Sequence, residues 1–222
     1  MAIRRLTEDT IGKIAAGEVV ERPVSVVKEL IENAIDAGAT RIEVEIAGGG
    51  SELIRVTDNG AGMTRHDLTL AIERHATSKL TTFDDLEALH TLGFRGEALP
   101  SIAAVSRFSI RTAATGEAAG AVLESTFGAA PTVKPVAGVR GTVVSVGDLF
   151  GNVPARRKFL RSDETERRHI DAWLTRYSMA YPELRFTLNH AANTVFQSPG
   201  SGRLRDVMVA VYGLDVGAAA LD

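Results

Sequence analysis

Between Pro23 and Gly38 the chain spells out one helix and the character of both its faces. Pro23 suits a first helical turn, where its missing N–H costs nothing. Gly38 suits the residue just past a helix end. The spacing therefore predicts a helix from Pro23 to about Ala37. At about 100° per residue, Val24, Val27, Leu30, Ile31, Ala34 and Ile35 fall on one broad arc, and Glu29, Glu32, Asn33 and Asp36 on the opposite one. Such a helix must bury one side, and the next residues supply a surface for it. Arg41–Ile46 alternates, with Ile42, Val44 and Ile46 on one face; Gly48–Gly50 turns; Leu53–Thr57 reads as a second strand. Residues 41–57 are expected to form a hairpin.

The rest of the chain continues this mixture. Residues 1–22 read as a partly polar N-terminal arm with a short helical patch near Ile11–Ala16. Residues 64–75 look helical. Residues 76–100 carry Gly93, Gly96 and Pro100 among many polar residues and read as a long, mobile segment broken by short helices; long loops in compact domains tend to be functional. Strands are expected at Arg107–Thr112, Ala121–Thr126, Thr132–Pro135 and Thr142–Val146, a helix at Asp163–Ala180, a hairpin from Arg185–Asn189 and Thr194–Gln197, and a helix over 203–213. The pattern is α/β with mostly antiparallel neighbours, not a strict βαβαβ alternation.

Composition narrows the function classes. The 222 residues can bury a sizeable core without crosslinks. With no cysteine, disulfides, thiol catalysis and Cys-ligated zinc are excluded, and a reducing compartment is the natural home. A net charge of −3 gives no global basic footprint for nucleic acid. No apolar run approaches the roughly 20 residues that span a bilayer, and the start lacks a signal peptide's apolar core. The expectation is a soluble, cytoplasmic protein with no membrane partner.

Chemistry concentrates in four places. On the polar arc of the first helix, Glu29 and Asn33 lie one turn apart and are side-chain neighbours. A solvated acidic face has the same pattern, yet three acids so close repel one another unless a cation sits among them. A neutral oxygen beside carboxylates suits Mg²⁺, which keeps water and substrate phosphates in its shell. Asp58 ends the second strand and precedes Gly60 and Gly62, where the backbone can turn tightly and a ligand can come close; a plain Asp-Asn-Gly turn is the simpler reading. The common nucleotide loops fail: a Rossmann fingerprint from Gly60 needs a third glycine where Arg65 stands, and Gly12-Lys13 is followed by Ile14, not Ser or Thr. Gly93-Phe-Arg-Gly-Glu-Ala-Leu99 is a glycine-flanked basic turn that could open a helix toward a phosphate, or be an ordinary loop. Arg74-His-Ala-Thr-Ser-Lys79 adds hydroxyls and an ammonium; His75 reads as structural or surface, and none of the five histidines has metal-site spacing.

Taken together, Glu29-x-x-x-Asn33, Asp58-x-Gly60-x-Gly62 and Gly93–Leu99 resemble the nucleotide motifs of the GHKL ATPases. Ile14–Pro23, Arg74–Lys79, Gly93–Leu99 and Pro154-Ala-Arg-Arg-Lys-Phe-Leu160 resemble those of the MutL family of DNA mismatch repair proteins in particular. The resemblance covers nearly the whole chain. It implies an α/β (α+β sandwich) domain with the Bergerat-type GHKL ATPase fold: a mixed, mostly antiparallel sheet, helices on one face, and ATP held between helices and a lid. It implies Glu29 as the general base that orients water, Asn33 as the Mg²⁺ ligand, and Asp58 as acceptor for the adenine amino group, with Thr142 supporting it through water. Gly60, Gly62 and Met63 would line the adenine side. Thr77, Ser78 and Lys79 with Gly93, Phe94, Arg95, Gly96, Glu97, Ala98 and Leu99 would form the lid, and Asp36 joins the nucleotide-binding set. Glu32 is not the family's base and reads as a supporting or surface residue.

The resemblance also implies partners: a second copy of the chain on ATP binding, the mismatch sensor MutS, and DNA held non-specifically through phosphates. The densest basic run, Arg156, Arg157, Lys158, Arg161, Arg167 and Arg168, is diluted by Asp163, Glu164 and Glu166, so a solvated helix face fits it as well; its first four residues are the candidate DNA contacts. In the family a transducer domain follows and contributes a lysine to the γ-phosphate. The expected organisation is an arm over 1–22, an ATPase domain over 23–200, and the start of a truncated transducer domain over 201–222. A docking module for DNA or protein on the same fold, indifferent to nucleotide, is the alternative; a histidine-kinase catalytic domain is more remote, since it leaves Pro154–Leu160 without a role.

Overall fold

The computed structural model describes residues 4, 7–74, 76–79, 91–93, 96–138 and 140–219. Its strands are β1 (Arg41–Ala47), β2 (Leu53–Asp58), β3 (Arg107–Ala113), β4 (Ala119–Thr126), β5 (Thr132–Ala137), β6 (Gly141–Gly147), β7 (Arg185–His190) and β8 (Asn193–Gln197). Its helices are α1 (Glu8–Val19), α2 (Pro23–Asp36), α3 (Arg65–Leu70), α4 (Ala98–Ala104), α5 (Pro154–Phe159), α6 (Asp163–Ala180), α7 (Leu204–Tyr212) and α8 (Leu214–Ala219). The strands form a single sheet in the order β5-β4-β3-β6-β2-β1-β7-β8. Every neighbouring pair is antiparallel except β1 and β7.

Register explains why one face carries the core. Val44, Val56, Val144, Ile110 and Leu123 pair across five strands, and Leu188 continues the row through β7. A second row joins Phe186, Ile42, Asp58, Thr142, Thr112 and Ala121. Side chains alternate across a strand, so these rows share a face, and all of these residues are buried. The opposite face is polar: Arg55 pairs with Glu45 at 2.6 Å, and Asn189 donates to Glu43 at 2.6 Å. Pro135 sits in the edge strand β5, where a missing N–H is tolerated.

Helix α2 packs on β1 and β2, and α6 packs behind α2 and on β7. Val26, Val27, Leu30 and Ile31 of α2 are each 3 % exposed or less. Burying such side chains stabilises by about 1.5–3 kcal/mol each, which outweighs the few tenths of a kcal/mol by which valine lowers helix propensity. Two details depart from the helical-wheel reading. Val26 is fully buried although outside the expected apolar arc, and Glu32, expected on the polar side, is only 5 % exposed. The burial of Glu32 follows from α6, which packs along that flank of α2 and meets it with Tyr177.

Elsewhere the limits shift. The helical patch in the arm is a full helix, α1, whose Ala16 is completely buried; α1 packs on α4. The helix expected over 64–75 is shorter, Arg65–Leu70, capped by the Thr64 side chain accepting from Asp67 N. Of the expected loop 76–100, residues 98–100 open α4; 80–90, with His75, lie outside the described residues. The parallel pairing of β7 with β1 was not legible in the sequence, because it joins segments about 140 residues apart.

Candidate functional site

A cleft of ≈ 1250 Å³ lies between α2, the end of β2, and residues 76–79, 91–93 and 96–100. Its floor is apolar, with Val56, Ile110 and Val144 from the sheet rows. Its walls gather most of the residues singled out from the sequence: Glu29, Asn33 and Asp36 from α2; Asp58, Gly62 and Met63 after β2; Thr142 from β6. Thr77, Ser78 and Lys79 close one side, and Gly93, Gly96, Glu97, Ala98 and Leu99 another. Gly60 does not line the cleft; it braces it, its N–H donating to Asp58 Oδ1 at 2.8 Å. Phe94 and Arg95 lie outside the described residues.

Asp58 reaches the cleft because it continues the inward alternation of Ile54 and Val56 at the strand's end. It is 8 % exposed. Burial pushes its carboxyl above the ordinary aspartate value, against the opposing hydrogen bonds from the backbone at Gly60 and Thr142. Thr142 pairs with it across the sheet, and the Thr142 hydroxyl lies 3.0 Å from that of Thr112. Thr112, which the sequence reading missed, is fully buried; its hydroxyl donates to Gly141 O at 3.0 Å and accepts from Met63 N at 3.0 Å. Its one signal was a hydroxyl in phase with Phe108 and Ile110. Asn59 pins the turn from below, its Oδ1 accepting from the N–H groups of Thr40 and Arg41 at 2.9 and 2.8 Å.

Gly62 allows the close approach. Its φ is +69°, and a Cβ there would lie 1.9 Å from Ala113 O. Gly96 does the same on the other wall: φ is +62° and a Cβ would meet Ala76 O at 2.4 Å, so the two wall segments touch backbone to backbone.

The segments around Lys79 and Gly93 reach α2 through Asp36. Lys79 Nζ lies 2.5 Å from Asp36 Oδ2 and donates to Asn33 Oδ1 at 2.9 Å. The N–H of Leu92 donates to Asp36 Oδ1 at 3.0 Å, and that of Gly93 to Oδ2 at 3.3 Å. One carboxylate thus holds three donors from two separate segments of the cleft wall. The position of Lys79 refines the sequence expectation: its ammonium rests on the helix, against the side chain expected to bind metal.

Those oxygens suit a hard cation, since an ammonium already occupies them. Among the described residues no group of three or more His, Cys, Asp or Glu side chains is placed to hold a metal ion. Asn33 would therefore hold Mg²⁺ only with phosphate oxygens and water completing the shell, the mode this ion favours. Beside it, Lys28 Nζ donates to Glu29 Oε1 at 3.3 Å and to Glu32 Oε2 at 3.0 Å. Burial works against the Lys28 ammonium, but these two carboxylates prevail and raise its pKa.

The basic run is partly engaged within the domain. Arg156 donates to Val20 O at 2.9 Å and lies over the Phe150 ring, and Arg157 pairs with Asp148 at 2.6 Å. Lys158 and Arg161 are exposed.

Comparison with known proteins identifies the family. Residues 21–134 match the family model described as histidine kinase-, DNA gyrase B-, and HSP90-like ATPase. The DNA mismatch repair protein MutL of Xylella fastidiosa (strain M23) is 56% identical over 190 residues, 86% of this chain and 31% of the relative. That of Desulforudis audaxviator is 52% identical over 214 residues, 96% of this chain and 38% of the relative. The chain thus spans about a third of the length of these curated relatives. The solved Aquifex aeolicus MutL ATPase domain complexed with ADP superposes with a TM-score of 0.70 at 36% identity, covering 87% of this chain and 70% of that one. The chain belongs to the GHKL ATPases and, among them, to the MutL family of DNA mismatch repair proteins, whose ATPase domain it matches.

Proposed function

We propose that this domain binds Mg²⁺–ATP in the cleft, hydrolyses it, and uses the nucleotide to switch conformation and pair with a second copy of itself during mismatch repair. The observation that carries the reading is the convergence on one cleft of Glu29, Asn33 and Asp58, with lid segments clasped to Asp36. Asp58, an acceptor held in place by Gly60, would take the adenine amino hydrogen, and Thr142 would support it through water. Gly62 and Met63 would pack along the base. Asn33 would hold Mg²⁺, which supplies charge neutralisation to the phosphates when bound. Glu29, one turn away, would orient the attacking water and accept its proton. For the phosphates to reach Asn33, Lys79 must leave it, and an ammonium so placed is ready to follow a phosphate oxygen. The lid would then wrap the phosphates with residues 77–79 and 93–99.

Partners belong to the same proposal. Ordering of the lid and of residues 1–22 by nucleotide is a known type of switch, and it would expose a surface for the second copy and for MutS. Contact with DNA would be sequence-independent and salt-sensitive, through Lys158 and Arg161 more than through Arg156 and Arg157, which already have partners. A cytoplasmic location follows the repair role. Among the described residues no helix is long and apolar enough to cross a membrane.

The test is a titration with a non-hydrolysable ATP analogue, with and without Mg²⁺. Saturable binding strengthened by Mg²⁺ is expected. No binding by folded protein would refute the reading, and DNA affinity indifferent to nucleotide would favour a docking module instead.

A further inference from the structure

Beside α2, Tyr177 of α6, which does not line the cleft, is tied to the proposed base through two residues that do, Glu32 and Lys28. Tyr177 of α6 donates its hydroxyl to Glu32 Oε1 at 2.5 Å, a contact across 145 residues. The other oxygen of Glu32 accepts from Lys28 at 3.0 Å, and the same ammonium reaches Glu29 Oε1 at 3.3 Å. The chain of contacts is Tyr177, Glu32, Lys28, Glu29. The first link is rigid: Tyr177 stacks on Trp173 with ring centroids 3.8 Å apart and leans on Tyr181 at 5.7 Å. The second is buried, with the Glu32 side chain 7 % exposed, whereas Lys28 is 43 % exposed.

The physical problem is Lys28. A long, half-exposed ammonium beside a catalytic carboxylate can drift into water or settle wholly on Glu29 and occupy the oxygens that must hold a water molecule. A buried carboxylate with both oxygens engaged prevents both outcomes, because leaving it unpaired is costly. Burial and the bond to Glu32 push the Tyr177 hydroxyl far above its ordinary value, so it stays a donor throughout the working pH range.

We propose that Tyr177 is a positioning residue for ATP hydrolysis: by fixing Glu32 it keeps the Lys28 ammonium shared between Glu32 and Glu29, leaving Glu29 able to orient water. The proposal rests on the hydrolytic role of Glu29 stated above. Tyr177 lines no part of the cleft, so its influence falls on turnover and not on nucleotide affinity.

The experiment uses the full-length protein and measures kcat, KM, analogue affinity and melting temperature. Tyr177→Phe keeps the ring and its stacking and removes only the hydroxyl. It is expected to lower kcat by about tenfold, the scale of one lost hydrogen bond to a charged group, with KM and analogue affinity unchanged. Tyr181→Phe, in the same aromatic stack, leaves kcat unchanged. Lys28→Met slows turnover, and adding Tyr177→Phe to it costs nothing further, because the hydroxyl acts through the ammonium. Unchanged kcat in Tyr177→Phe overturns the proposal, as do multiplicative effects in the double variant or losses of kcat, affinity and melting temperature together. If the unmodified protein neither binds the analogue nor turns over, the hydrolytic reading fails and this proposal with it; if it does both and Tyr177→Phe matches it, only this proposal falls.

Discussion

Replacing Asp58 with asparagine keeps the shape of the side chain and removes its charge, and the structure assigns the two consequences opposite signs. The carboxylate is 8 % exposed, and burial holds its pKa above the ordinary value. For a group whose folded-state pKa is raised, the favourable contribution is fully present below the unfolded-state pKa and is lost as pH rises through the folded one. At neutral pH the charged Asp58 therefore costs stability. Asp58→Asn, whose amide oxygen can still accept from Gly60 N, is expected to melt at or above the wild-type temperature at neutral pH, with the advantage vanishing in acid. Nucleotide binding moves the other way. With its oxygen on Gly60, the amide turns an NH₂ group toward the proposed adenine amino group, so donor meets donor. Losing a hydrogen bond to a charged acceptor costs about 1.5–3 kcal/mol, or roughly 10- to 150-fold in Kd. Calorimetric titration with a non-hydrolysable ATP analogue and thermal melts of the same samples read both quantities. Wild-type affinity would refute the adenine assignment. A collapse of affinity and melting temperature together would make Asp58 a structural residue only.

Three further outcomes are expected. Glu29→Ala in the full-length protein should retain analogue binding and lose turnover by about 10²–10⁴-fold, the usual contribution of a general base; surviving turnover would mean the base lies elsewhere. Asp36→Ala removes the acceptor for Leu92 and Gly93, whose amide hydrogens should exchange about tenfold faster in hydrogen-exchange mass spectrometry, since each loses a bond worth about 1–1.5 kcal/mol; unchanged protection would show that Asp36 does not hold the lid. Gly62→Ala forces a side chain into φ +69° and within 1.9 Å of Ala113 O. At a cost of about 2 kcal/mol or more, it should lower the melting temperature by roughly 4–8 °C and weaken nucleotide binding; an unaltered melt would mean that the Gly60–Met63 turn is not packed as described.

What could be read ahead of the structure was local. A period of 3.6 sufficed to set Glu29 and Asn33 one turn apart, and a period of two to set Ile42, Val44 and Ile46 on one face of the strand beside it. These follow from backbone geometry, which neighbouring residues settle among themselves, so the helix at Pro23–Asp36, the hairpin after it and most strand limits were legible to within a few residues. The remaining motif residues were supplied by the family resemblance, and the fold brings most of them to one cleft.

Contacts between distant segments were not legible. The sequence places Lys79 in the lid, yet only the packed chain sets its ammonium on Asp36 and Asn33, 43 and 46 residues earlier. Glu32 looked like one more acid on a polar face; α6, laid across that flank, buries it and meets it with Tyr177. Thr112 became part of the site only when β3 was set beside β6. Spacing along a chain states which way a side chain points on its own element. Which cation neutralises it, which water it loses and what it can hold in place depend on the element that packs against it, and that is decided by burying apolar surface over the whole domain at once.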